Sequence, residues 1–276
     1  MGQLTQWFTG LSLYGVALVI FGSMVLAALI GFGVHKLELR LTRGRQESEQ
    51  SQESYLIGAI LGVLALLMAF SFGMALDRYE ERRHLVIQEA NAIGTSYLRV
   101  QLLDEPHRAR LSKLLVDYTD NRIELATTSP DNAASSLKRN DQLLTDIWAA
   151  VVAARESALR HNITTPLLMT LNEVVDLDAE RKSSRTMRVP APVLLLLYFY
   201  LVLVAAVLGY VLKEQRVRLC GAFFILLTIY ASVIADLNRP TSGTIQESQE
   251  PMLMLQASLK SQPPASFERY RNEAAP

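Results

Sequence analysis

Four apolar runs without internal charge, at about 11–34, 55–76, 191–212 and 219–235, stand in two pairs around a polar stretch of about 110 residues. At 1.5 Å per residue the first three reach about 33–36 Å as helices, enough for a hydrocarbon core of about 30 Å. The fourth reaches about 26 Å, with Arg218 and Asp236 able to snorkel at its edges. The pattern predicts an all-α polytopic membrane protein, with four transmembrane helices in two pairs and an inserted extramembrane helical bundle. It divides the chain into a first span pair (1–76), the helical domain (77–189), a second span pair (190–236) and a turn-rich segment ending in a disordered tail (237–276).

The polar middle reads as helix throughout. The second apolar run passes into a charged segment, residues 77–84, with no Gly or Pro to stop it, so one long helix is expected to end near Leu103. Along it Val86, Ala90, Ile93, Tyr97 and Val100 recur in steps of four and three, the spacing of a core-facing stripe. Pro106, Pro130 and Pro166 each follow a capping residue and mark further helix starts. The stripes expected inward are Leu111, Leu114, Leu115, Tyr118 and Leu125, then Leu144, Ile147, Trp148 and Val151, then Leu168, Leu171 and Val175. Beyond Asp236 the turn signals of Asn238, Pro240 and Gly243 end the helix. A short docked helix is expected around Pro251–Leu255 and disorder from Ser261 onward.

Composition narrows the partners more than the fold. Lys and Arg number 27 and so do Asp and Glu, so there is no global basic field to recruit nucleic acid. The single cysteine, Cys220, lies in the fourth apolar run, which excludes an intrachain disulfide and suits a small buried hydrophobe. Residues 1–10 carry no Lys or Arg, and the run after them is far longer than a signal h-region, so it is expected to remain as a span.

Small residues mark close helix packing, because helices in a bilayer associate where their backbones can approach. Gly58 and Gly62, with Ala69 and Gly73 further on, form such a series on the second span, and Ser23, Ala27 and Gly31 form one on the first. Either series can join spans within a chain or join chains. Catalytic patterns are thin. The four histidines make no i, i+4 pair, so a helical zinc site lacks its ligands, and no Gly-rich phosphate loop precedes a strand. Glu173, Asp176 and Glu180 share a helical face beside Arg181 and Lys182, which suits a solvated, salt-bridged face better than a cation site. Gln88, Asn91 and Thr95 form a polar stripe that reads as a wet face. No enzyme activity and no cofactor is expected.

One block carries a family resemblance: Asp77-Arg78-Tyr79-Glu80-Glu81-Arg82-Arg83, followed by Glu89, Asn91 and Gly94. Together with Asn172, and with Asp236, Arg239 and Pro240 after the last span, it resembles the bestrophin-like domain family of bacterial membrane proteins, over roughly residues 10–260. Asn238 departs from the pattern, standing where an acidic residue is expected. The layout is similar, more remotely, to that of true bestrophins. That resemblance implies a bacterial inner-membrane protein, a homo-oligomer (a pentamer in bestrophins), and a small inorganic ion passing along a pore lined by the second span. Leu66, Phe70 and Met74, spaced by four, are then the candidate hydrophobic constriction, although the same residues suit a lipid-facing side equally. The competing reading is a non-conducting scaffold or signalling protein whose helical domain binds a partner.

Four spans return the chain to its starting face, so both termini and the helical domain share one side of the bilayer. Lys36, Arg40, Arg43 and Arg45 follow the first span, and Lys213, Arg216 and Arg218 fill the other short loop. Positive-inside logic places those loops in the cytoplasm and the helical domain outside, whereas analogy with bestrophins keeps that domain cytoplasmic. Single cysteines at Gln3, Gln46, Ser135 and Ser266 in a Cys220→Ala background test the topology. Gln46 is expected to label from the side opposite to the other three, and labelling of Gln46 and Ser135 from one side would overturn the four-span arrangement.

Overall fold

The structure, a computed structural model, describes residues 12–41, 50–128, 133–211 and 217–269, with the side chains of 50–54 and Val217 excepted. The cap at Ser129-Pro130 and the loop cations Arg43, Arg45, Lys213 and Arg216 lie outside these residues, as does the chain beyond Arg269. The described residues form helices α1 (Leu13–Leu41), α2 (Gln50–Val100), α3 (His107–Thr127), α4 (Ala133–Ala153), α5 (Arg155–Arg160), α6 (Thr164–Ser184), α7 (Ala191–Val211), α8 (Val217–Leu237) and α9 (Glu250–Ser261), then a 3-10 turn at Pro264–Glu268. The fold is all-α, and four helices are long and apolar enough to cross a membrane: Leu13–Leu41, Tyr55–Val100, Ala191–Val211 and Arg218–Leu237. Two compact units divide the chain, Met1–Tyr79 with Met187–Gln246, and Glu80–Thr186 with Glu247–Pro276.

The first unit holds the four candidate spans. Val16, Ile20, Met24 and Ala27 on α1 pack with Leu197, Leu201, Val204 and Leu208 on α7 and with Phe224, Leu227, Ala231 and Ile234 on α8. Two glycines set the closest approach. A Cβ on Gly31 would stand 2.0 Å from the Ala206 carbonyl oxygen, and one on Gly209 would stand 2.0 Å from that of Ala28. The α1–α7 crossing is therefore closed to any side chain at these two positions, consistent with backbone approach as a main source of helix association in lipid. Ser23 belongs to the same stretch of α1, where its hydroxyl donates back to the Ile20 carbonyl at 2.8 Å.

On α2 one face enters this unit: Leu64, Met68, Ser71 and Ala75, in steps of four, three and four, are all buried. Tyr200 Oη donates to the Ile60 carbonyl at 3.3 Å, and Phe72 meets Tyr230 with ring centroids 5.6 Å apart. The small residues of α2 lie elsewhere. Gly58, Gly62 and Gly73 have no heavy atom within 4 Å of where a Cβ would sit, and Ala69 is exposed. The close packing within the chain is at Gly31 and Gly209 instead, and the α2 series stands free of it.

The second unit is a helical bundle around Val86, Ile93, Tyr97 and Val100 of α2, Leu111, Leu115 and Tyr118 of α3, Leu143 and Ile147 of α4, and Leu167, Leu171 and Val174 of α6. The stripe expected on α2 is buried at all five positions. Two other stripes hold in part. Ile147, Val151 and Leu171 are buried as expected and Leu144 and Leu168 partly so, but Trp148 on α4 and Val175 on α6 are exposed, and the inward faces also take in Leu143, Ala150, Leu167, Val174 and Asp178. On α6 the cause is electrostatic: Asp178 and Arg181 are themselves buried, and their partners set the helix phase. The disorder expected from Ser261 does not hold for 262–269. There Tyr97 Oη donates to the Gln262 carbonyl at 2.8 Å, Phe267 packs on the Tyr97 ring, and Glu268 pairs with Arg108.

Gly31→Ala and Gly209→Ala should each force α1 and α7 apart and cost about 1–3 kcal/mol, as overpacking does. Gly62→Ala, with open space at its Cβ, should leave the monomer unchanged. Thermal midpoints of the dissociated monomer in detergent check this, with a lowered midpoint expected for the first two variants and no lowering for the third.

Candidate functional site

The most polar buried place in the second unit is built around Glu89, which is completely inaccessible to solvent. It sits on the inward stripe of α2, between Val86 and Ile93. Three side chains serve its two oxygens. Tyr118 Oη donates to Oε1 at 2.7 Å, Arg122 Nη2 donates to Oε2 at 3.1 Å, and Arg181 Nη1 makes a short contact with Oε2. Arg122 Nε lies 2.9 Å from Oε1, in ion-pair range. The second guanidinium nitrogen of Arg122 reaches Asp178 Oδ1 at 3.0 Å, and Asn140 Nδ2 donates to the same oxygen at 2.9 Å. Lys182 Nζ closes the far side, 2.7 Å from Asp178 Oδ2 and 2.7 Å from Asp141 Oδ1. Helices α2, α3, α4 and α6 are thereby tied by charge-assisted bonds.

Burial alone would push the Glu89 carboxyl up. The charges of Arg122 and Arg181, with the hydrogen bonds from Tyr118 and Arg181, outweigh it and hold the group below the usual carboxylate range. Burial and the neighbouring Glu89 charge push the Tyr118 phenol well up, so it stays neutral and donates. A carboxylate saturated in this way is a poor base, and the cluster offers fixed charge, not proton transfer. Nearby, Arg82 pairs with Glu247, and Arg181 Nη2 reaches Gln249 Oε1 at 3.5 Å, so the segment leading into α9 joins the same network. The Arg185 side chain makes no hydrogen bond or ion pair among the described residues. Its burial, and the charges of Arg181 and Arg122, pull its pKa down.

The residues singled out in sequence fall into three places. Arg82 and Glu89 belong to this network, and Gly94 lies beside α9, where a Cβ would come 3.2 Å from Leu255 Cδ1. Asp77, Asn91 and Asn172 are exposed, as are Gln88, Thr95, Glu173, Asp176 and Glu180, while Arg78 is half-buried, 4.0 Å from Met187 Sδ. Asp236, Arg239 and Pro240 form a separate turn after α8. Asp236 accepts the amides of Thr244 at 2.6 Å and Ile245 at 3.2 Å, and a Cβ on Gly243 would stand 2.5 Å from Asp236 Oδ1. Only glycine fits there. Leu66, Phe70 and Met74 share an exposed face of α2 in the other unit, turned away from the buried Leu64, Met68 and Ala75.

Tyr118 is buried as its stripe predicts, whereas Arg122, Asn140 and Asp178 were not expected inward, yet a signal for Arg122 and Asp178 exists. Leu111, Leu115, Tyr118, Arg122 and Leu125 step by four, three, four and three, and so do Leu167, Leu171, Val174, Asp178 and Arg181. Charges in phase with an apolar stripe must be buried, and buried charges need partners.

Glu89→Gln should leave Arg181 without its counter-ion and Arg122 with Asp178 alone, and cost about 3–5 kcal/mol. Because the Glu89 pKa is lowered on folding, its contribution is fully present above the ordinary carboxyl value of about 4.3 and is lost as pH falls through the folded value. Thermal midpoints from pH 7 to 3 should fall on acidification in the wild type. The Glu89→Gln variant should start lower and lose less over the same range.

The bestrophin-like domain model matches residues 22–252 of the chain. No match to the sequence was found among curated proteins. Solved structures resemble it closely in fold. A substituted form of a bacterial bestrophin homologue from Klebsiella pneumoniae superposes with a TM-score of 0.69 at 14% identity, covering 91% of this chain and 98% of that one. The Klebsiella pneumoniae homologue solved by zinc anomalous phasing gives 0.63 at 16%, covering 88% and 97%. A substituted membrane protein gives 0.63 at 17%, covering 89% and 97%. At such identities the likeness speaks for the fold, and the family model speaks for descent: the chain belongs to the bestrophin-like domain family.

Proposed function

We propose that this multi-pass membrane protein forms a homo-oligomeric ion path lined by the second span, with Leu66, Phe70 and Met74 at its narrowest part. The observation that supports the reading is the division of α2 into two faces. Leu64, Met68 and Ala75 are packed within the unit, while Leu66 is 55%, Phe70 64% and Met74 37% exposed. Three large apolar side chains stacked at intervals of one turn make a hydrophobic ring when helices are arranged around an axis. Such a ring controls passage by wetting and drying rather than by charge. The free small-residue side of α2, Gly58 and Gly62, suits close approach by a neighbouring copy. A pentamer and an inner-membrane location follow by analogy with bestrophins, with both termini and the helical domain on one side.

A second reading, a scaffold that binds a partner through its helical domain, draws on Trp148 and Val152, which are exposed one turn apart on α4. Flux separates the two. Purified protein in ion-loaded liposomes should leak Na⁺, K⁺ or Cl⁻ faster when Leu66, Phe70 and Met74 are all replaced by Ala, at unchanged oligomer mass. A charge at Phe70 should shift the cation-to-anion preference with the sign of that charge. Unaltered flux in a folded oligomer for both variants overturns the pore and favours the scaffold.

A further inference from the structure

In the first unit a cavity of about 310 Å³ opens among the starts of α1 and α7 and the end of α8. Most of its wall is hydrocarbon: Val16 and Ile20 of α1, Leu194 and Leu201 of α7, and Ile234 of α8 contribute. Its polar lining comes from two short segments, Arg188 just before α7, and Asn238 and Arg239 just after α8. These segments are joined, because the Val189 amide donates to Asn238 Oδ1 at 2.7 Å. They flank the ends of two candidate spans, Ala191–Val211 and Arg218–Leu237, so the polar end stands at the level of a membrane interface while the rest runs along span surfaces. The volume is that of a ligand site, at the low end of the usual range of about 300–1,000 Å³.

The charge at the polar end is positive on balance. Arg188 and Arg239 carry two positive charges against the single negative charge of Asp236, which also accepts the amides of Thr244 and Ile245. Asn238, between these groups, adds no charge of its own. Its side chain, whose Oδ1 accepts from Val189, lines the cavity and carries an amide donor with no partner among the described residues. Burial pulls the Arg239 pKa down; Asp236 opposes this and the neighbouring charge of Arg188, itself exposed, adds to it.

We infer that this cavity binds an anionic phospholipid, with an acyl chain along the apolar wall and the phosphate held by Arg188, Arg239 and the Asn238 amide. An apolar slot ending in two guanidinium groups at the interface matches such a molecule at both ends. Guanidinium pairs with phosphate oxygens through paired donors. The inference does not depend on conduction.

The test uses the full-length protein in a neutral detergent, delipidated, with its thermal midpoint and mass measured after addition of phosphatidylglycerol, phosphatidylcholine or glycerol phosphate. Phosphatidylglycerol should raise the midpoint by several degrees, and the other two should leave it within a degree. Arg188→Gln and Asn238→Asp should each cut that rise by more than half. The second keeps an acceptor for Val189 while it removes the amide donor and adds a negative charge. Leu194→Trp, which fills the apolar part, should do the same with every charge intact. Arg218→Gln, at the other end of the fourth span, should keep the full rise. Equal rises with phosphatidylcholine, or with glycerol phosphate, overturn the inference in favour of unspecific lipid solvation or a free anion site. It is also overturned if the wild type shows no rise, if Arg218→Gln matches Arg188→Gln, or if Leu194→Trp changes only the oligomer mass. That last result would assign the cavity to a subunit contact.

Discussion

A carboxylate with no access to water is tolerable only where cations and donors surround it, and Glu89 is such a carboxylate. The requirement propagates. Arg122 and Tyr118 must face inward from α3, one turn apart, and Arg181 must face inward from α6. Arg122 then needs Asp178, and Asp178 needs Asn140 and Lys182. Each link fixes the rotation of a helix about its own axis more sharply than apolar packing does, since a Leu stripe tolerates a modest rotation and an ion pair in a dry interior does not. The apolar core of the second unit, from Val86 to Val174, is built around this frame.

That frame explains what the sequence disclosed and what it withheld. The spans were legible because their lack of charge over about twenty residues has one main physical solution. The stripe of α2 was legible for a similar reason: five apolar positions in unbroken helical phase admit one inward face. On α4 and α6 the centre of each inward face was legible, at Ile147 and Leu171, and its edge was not. A rule that sends charged residues to the surface turns Arg181 outward and Val175 inward, and the Glu89 network reverses both. The glycines carry a related lesson. A small-residue series tells where a backbone can be approached, and the approaching helix is settled elsewhere; Gly31 found α7, while Gly58 and Gly62 are open. The segment after Ser261 looked disordered by its prolines and polar residues, but contacts at Gln262, Phe267 and Glu268 hold it.

Of the candidate sites, the motif residues Arg82, Glu89, Asp236 and Arg239 were visible as a pattern, without their chemistry. Arg82 and Glu89 turn out to be members of buried ion pairs, and Asp236 caps a turn that Gly243 alone can enter. The face of α2 that bears Leu66, Phe70 and Met74 was visible too. Its role is hard to read from composition, because hydrocarbon, a second copy of the chain and a dewetting pore all ask for large apolar side chains.

The second unit is discontinuous in sequence: Glu80–Thr186 supplies α3 to α6, and Glu247–Pro276 supplies α9 and the closing 3-10 turn. Met252 and Leu259 of α9 belong to its core, and Glu247 and Gln249 complete its charged network. During synthesis these residues leave the ribosome after the whole of α7 and α8. For as long as the last two spans are being made and inserted, the bundle stands with one wall missing and Arg82 without Glu247. Its final closure therefore waits on the synthesis of the last two spans, and until then the bundle keeps an open, partly apolar side where Met252 and Leu259 will dock.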